Sequence, residues 1–145
     1  MTDYVTFTAA GQLFGLPIEH VQDVFTPANM TGVPLAGPEV AGVLNLRGRI
    51  VTVIDLANRF QLKRSKDAAA QMVIGIERGP ESFGILVDGV GEVLTLSDGD
   101  REPISLDRTL DGAAAGVFRL DDRILIALDP ARTLNFPILR SSAVQ

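Results

Sequence analysis

Two stretches of this sequence recur, in the same order, further along the chain. Phe14-Gly15-Leu16 with Val21, Asp23 and Val24 returns as Phe83-Gly84-Ile85 with Val90, Glu92 and Val93. Gly42-Val43 with Leu46, Arg49, Ile50 and Asp55 returns as Gly116-Val117 with Leu120, Arg123, Ile124 and Asp129. The first pair is offset by 69 residues (14 to 83) and the second by 74 (42 to 116). Short apolar patterns recur by chance, so one pair alone would carry little. Two pairs in conserved order, with five extra residues between them in the second copy, read as a duplicated unit with a loop insertion.

Each copy reads as strands. Tyr4, Thr6 and Thr8 alternate with Val5, Phe7 and Ala9, and Gly11-Gln12 then turns into Leu13-Phe14-Gly15-Leu16. Arg47-Gly48 lies between two apolar runs, Val43 to Leu46 and Ile50 to Ile54, and suits a tight hairpin in which Gly48 takes the positive φ. Asp121-Asp122 occupies the same corner in the second copy, and Arg78-Gly79-Pro80-Glu81 marks another turn. Asp55 and Asp129 each follow a strand and suit the N-cap of a short helix, the second with Pro130 at its first position. Helix is expected only as short pieces near Glu19, Leu56 and Ala131. The pattern predicts an all-β chain of two small five-stranded antiparallel barrels, related by internal duplication. The polar, alanine-rich stretch 62–70 reads as the connection between copies. The chain is expected to be one domain over 1–145, with one subdomain at about 14–66 plus part of the C-terminus and another at about 71–128.

Composition removes several functions. With no cysteine there is no disulfide, thiolate metal site or cysteine nucleophile. The longest apolar-or-glycine run is Gly112 to Phe118, far too short to span a membrane. Asp3 and the alternation after it give no secretory signal pattern, so none is expected. The net charge is −5, and the only basic cluster, Arg59, Lys63, Arg64 and Lys66, lies beside a polar stretch and reads as a solvated linker. Nucleic acid is therefore not expected as a partner.

The residues that carry chemistry are sparse. His20 is the only imidazole and has no serine or second histidine near it in sequence, so it reads as a surface or capping residue. Asp98-Gly99-Asp100-Arg101-Glu102 lacks the remaining oxygen ligands of a calcium loop and reads as a solvated loop. Gly89-Val90-Gly91 is neither a dinucleotide nor a phosphate motif. Asp88 and Glu92 make no argued acid–base pair. No enzyme, metal or cofactor is expected. Two small barrels would leave a groove between them, lined by residues such as Val21, Met72 and Val93, which suits a helix. The competing reading places these three in the barrel cores.

The run Gly42-Val43-Leu44-Asn45-Leu46-Arg47-Gly48-Arg49-Ile50-Val51-Thr52-Val53-Ile54-Asp55-Leu56 resembles the CheW-type coupling proteins of bacterial chemotaxis. Phe14 to Val24 and Phe83 to Val90 resemble two further segments of that family, so the similarity runs from about Tyr4 to Phe136. The resemblance implies two intertwined SH3-like barrels and a scaffold without catalysis. It implies as partners the cytoplasmic signalling tip of a chemoreceptor and the regulatory domain of a CheA-type histidine kinase. It also implies a cytoplasmic location at membrane-associated receptor arrays, with no direct membrane insertion. Carried over residue by residue, the family's receptor-binding groove falls on Val21, Asp23, Gly42, Arg47, Met72, Gly84 and Val93; no residue is assigned to the kinase. Asp23 stands where the family usually has Glu, and Glu39 replaces a usual apolar residue. A specialised adaptor for another signalling system or helical partner is the alternative. A small β-barrel enzyme is a third reading, opposed by the missing nucleophile–base pair.

Overall fold

In the computed structural model, which describes residues 1–63, 71–105 and 109–135, ten strands form two five-stranded sheets. The first five are β1 (Thr2–Ala9), β2 (Gln12–Pro17), β3 (Val21–Phe25), β4 (Val40–Leu46) and β5 (Arg49–Asp55). The others are β6 (Met72–Arg78), β7 (Glu81–Val87), β8 (Gly89–Leu96), β9 (Ala114–Arg119) and β10 (Ile124–Leu128). Two one-turn helices, α1 (Leu56–Arg59) and α2 (Pro130–Thr133), follow β5 and β10. A 3-10 turn at Ile18–His20 completes the expected helical pieces. Two further turns, at Asp98–Asp100 and Thr109–Gly112, were not anticipated, and Leu110 and Asp111 in the latter have left-handed backbone.

The sheet orders are β8-β1-β2-β10-β9 and β3-β6-β7-β5-β4. Matching β1–β5 to β6–β10 by the repeat turns both into one order, 3-1-2-5-4. Each sheet therefore takes its leading hairpin from one copy and its trailing three strands from the other. The exchange is joined by two parallel pairs, β2 with β10 and β5 with β7. The all-β, duplicated, intertwined architecture is as expected. The sheets do not follow the 14–66 and 71–128 boundaries, because each of those segments supplies strands to both sheets. The 62–70 connection lies mostly outside the described residues.

The repeat is visible in the packing. One cluster, Tyr4, Leu13, Phe118, Leu125 and Ala127, fills the first barrel. Another, Leu44, Val51, Val53, Val73 and Leu86, fills the second. Leu44 and Phe118, Val51 and Leu125, Val53 and Ala127, and Tyr4 and Val73 are repeat equivalents. A third cluster joins the sheets, with Phe7, Phe14, Leu16 and Leu128 from one packed on Ile74, Ile76, Ile85 and Val87 from the other. Removing these side chains from water is the main stabilising term, and the third cluster makes the two barrels one cooperative unit.

Turns and caps follow local chemistry. Both central residues of the β4–β5 hairpin have positive φ, Arg47 at 54° and Gly48 at 84°, the type I′ geometry that matches the twist of paired strands. Arg47 thus bears a left-handed backbone itself, where only Gly48 was expected to. The Asn45 side chain accepts a hydrogen bond from Gly48 N at 2.8 Å. Gly42 and its equivalent Gly116 each lie under a neighbouring segment, Gly42 under backbone and Gly116 under the Arg101 side chain. The chain after β3 pairs with β4 at Thr31 and Val43, and the chain after β8 pairs with β9 at Arg101 and Phe118. A Cβ on Gly42 would lie 2.6 Å from Thr31 O, and one on Gly116 would lie 3.0 Å from Arg101 Nε. Asp55 caps α1 by accepting from Asn58 N, and Asp129 caps α2 by accepting from Ala131 N at 2.9 Å, with Pro130 in the first turn. Asp129→Ala should cost about 1 kcal/mol and about 3 °C of melting temperature. A thermal melt of that variant by circular dichroism checks it.

Candidate functional site

The seven residues carried over from the family are not gathered in one place. Val21 and Met72 lie toward opposite ends of the β3–β6 pair, since Val21 faces Ile76 while Phe25 faces Val73. Both are partly buried against the central cluster. Val93 lies in the other sheet, on edge strand β8, and is 49% exposed. Gly42 and Gly84 are buried. A Cβ on Gly84 would meet Val73 Cγ1 at 2.5 Å, so this glycine is set by core packing.

Asp23 and Arg47 do come together, on the walls of a cleft between edge strand β3 and the β4–β5 hairpin. Its apolar lining is Phe25, Leu46, Val51 and Phe83; Gly75, Ser82 and Arg49 complete it, with Gln22. The volume of about 150 Å³ is well below that of pockets that enclose a cofactor or metabolite, and suits a single side chain. Two arginines share the cleft but differ in state. Arg49 Nη2 is engaged, by Glu77 Oε1 at 2.7 Å and by Ser82 Oγ. Arg47 has no hydrogen bond or ion pair among the described residues, and neither has the Asp23 side chain. Arg47 and Asp23 therefore do not pair with each other, and each charge faces the cleft unpartnered. Phe25, Gly75, Arg49 and Ser82 were missed as site residues, because they come from strands far apart in sequence. The constant spacing of Arg49 and Arg123 in the repeat was the one signal touching any of them.

The basic cluster needs a correction. Arg59 was grouped with Lys63, Arg64 and Lys66 as a solvated linker, yet its side chain is only 4% exposed. Its Nε donates to Thr133 O at 2.8 Å and one terminal nitrogen donates to Arg132 O at 3.1 Å, while Asp111 pairs with it at 3.3 Å. Arg64 and Lys66 lie outside the described residues.

Among the described residues no three His, Asp or Glu side chains gather as a metal-ligand group, and no helix is long and apolar enough to cross a membrane. A duplicated pair of small barrels with a side-chain-sized, mixed-charge cleft defines a protein of the scaffold class, working through surfaces. Residues 3–137 match the CheW-like domain, so the chain belongs to the CheW-like family, whose members are chemotaxis scaffold proteins. It is 28% identical over 134 residues to a chemotaxis protein CheW of Rhizobium meliloti, covering 88% of this chain and 83% of that one. It is 30% identical over 135 residues to the chemotaxis protein CheW of Klebsiella aerogenes, covering 92% and 81%. Among solved structures it is similar to the scaffolding protein TtCheW of Thermoanaerobacter tengcongensis, with a TM-score of 0.84, 29% identity and coverage of 93% and 88%.

Proposed function

We propose that this chain is a non-enzymatic adaptor in the cytoplasm. In this reading it couples the signalling tip of a chemoreceptor to the regulatory domain of a CheA-type histidine kinase within receptor arrays. The observation that carries the reading is the cleft at β3 and the β4–β5 hairpin. It combines an apolar floor with a carboxylate and a guanidinium that the fold leaves unpaired, so two charged groups are available to an incoming surface. Val21, Met72 and Val93, spread over two sheets, are further receptor contacts in this reading, while Gly42 makes room for the Thr31 segment and Gly84 for Val73. The experiment is a pulldown of the intact chain with a receptor signalling-tip fragment and, separately, with the kinase regulatory domain. Both should be retained; loss of both removes the proposal. Arg47→Lys should weaken receptor-tip binding at least tenfold while the melting temperature stays within about 2 °C, because lysine keeps the charge but not the planar five-donor fork. Unchanged binding in Arg47→Lys and in Asp23→Ala takes the cleft out of the receptor site.

A further inference from the structure

The charges in the cleft determine what kind of side chain it can take. Asp23 is paired across the strands with Gly75 of β6, and its carboxylate lies directly on that residue. A Cβ on Gly75 would overlap Asp23 Oδ1, so the carboxylate occupies this seat only because position 75 has no side chain. The φ of Gly75 is not positive, so its backbone does not itself demand glycine. The partner group across the cleft is Arg47. Arg49 is already neutralised by Glu77. The cleft thus holds one unpaired carboxylate and one unpaired guanidinium, with Phe25 and Phe83 in its lining.

We propose that this cleft selects a partner's asparagine or glutamine side chain, and that Gly75 is the positioning residue that makes it do so by seating the Asp23 carboxylate. A primary amide offers two N–H donors and a carbonyl acceptor on one small planar group. It satisfies Asp23 and Arg47 together. A lysine would satisfy Asp23 and face the guanidinium as a like charge; a glutamate would satisfy Arg47 and face the carboxylate. Either leaves one charge partly desolvated and unpaired, which is costly. The shorter Asp23, in place of the family's usual Glu, is accommodated by the same seat. The proposal rests on the cleft being a partner-binding site, but not on which protein the partner is.

The test uses the full chain and small probes, so its failure is separate from failure of the receptor pulldown. Amide ¹H–¹⁵N shifts of Asp23, Arg47 and Gly75 are followed while N-acetyl-glutamine methylamide is titrated in, and then the glutamate and lysine counterparts. The glutamine probe should shift all three resonances, and the charged probes should shift them at least fivefold less at equal concentration. Gly75→Ala should weaken the glutamine response at least fivefold. Asp23→Glu in that background should restore it, because the added methylene carries the carboxylate past the new methyl. Asp23→Ala alone should abolish the response, which covers the case of a Gly75→Ala chain that does not fold. No response to glutamine, equal responses to all three probes, or an undiminished response in Gly75→Ala or Asp23→Ala overturns the proposal. A folded double variant that stays silent overturns the role of Gly75.

Discussion

Arg59→Ala is expected to lower the melting temperature by on the order of 10 °C, more than any other single charge removal in the described chain. The guanidinium is nearly completely buried and donates to two carbonyls at the end of α2: Thr133 O, which has no other donor among the described residues, and Arg132 O, which also accepts from Asn135 N at 3.2 Å. It also lies over the Phe60 ring at 5.3 Å. The Asp111 carboxylate is 72% exposed, so that ion pair adds little by itself. The weight is on the Thr133 carbonyl and on the packing of the buried arginine stem. Removing the arginine leaves Thr133 O without its donor among the described residues and empties the space the side chain fills, which together cost about 2–3 kcal/mol. Arg59→Lys should recover only a minority of the loss, since an ammonium cannot reproduce the fork. A thermal melt of both variants decides the matter. A fall of less than about 3 °C in Arg59→Ala would mean that water reaches the Thr133 carbonyl.

Phe14→Ala should cost about 3–5 kcal/mol, and its repeat equivalent Phe83→Ala distinctly less. Phe14 is fully buried in the cluster that joins the two sheets, stacked on Phe7 at 5.9 Å and near Phe60 at 6.2 Å. Phe83 is 7% exposed, belongs to a small cluster with Ile54 and Leu134, and forms part of the cleft floor. The two residues match in the repeat but not in what surrounds them. Urea unfolding of both variants, followed by far-ultraviolet circular dichroism, measures the difference. Equal losses would show that the shared cluster is no more tightly packed than the periphery. For receptor-tip affinity the order should reverse, with Phe83→Ala affected more in the fraction that remains folded.

The contrast between Phe14 and Phe83 also shows how far the sequence could be read. Duplication, the hairpin corners and the capping residues Asp55 and Asp129 were legible, because each depends on residues adjacent in the chain. The exchange of strands between copies came only through the family resemblance and not from the residues themselves. Nothing local in Leu13-Phe14-Gly15 says that its parallel neighbour is Leu125-Ile126-Ala127, more than a hundred residues away. Arg59 was misplaced for a related reason. A run of basic residues suggests a solvated face, but the end of α2, which buries this one, comes from the far end of the chain. The cleft was half legible. Asp23 and Arg47 were named through the family resemblance, while Gly75 and Phe25 acquire meaning only once β3 is laid against β6. The seat of the Asp23 carboxylate lies over Gly75, a glycine that sequence spacing does not mark.

The exchange of strands has a consequence for how the chain is made. The β1–β2 hairpin is synthesised before the other eight strands, yet both of its sheet neighbours, β8 and β10, belong to the second half. The other sheet is complete once Val87 has emerged, whereas this one must wait for Leu128. During that interval β8 covers the β1 edge once Leu96 has emerged, but the β2 edge that carries Phe14 stays open, the kind of edge that pairs wrongly with other chains. A nascent chain arrested before β10 would therefore hold one finished sheet and one with an open β2 edge, which only β10 covers.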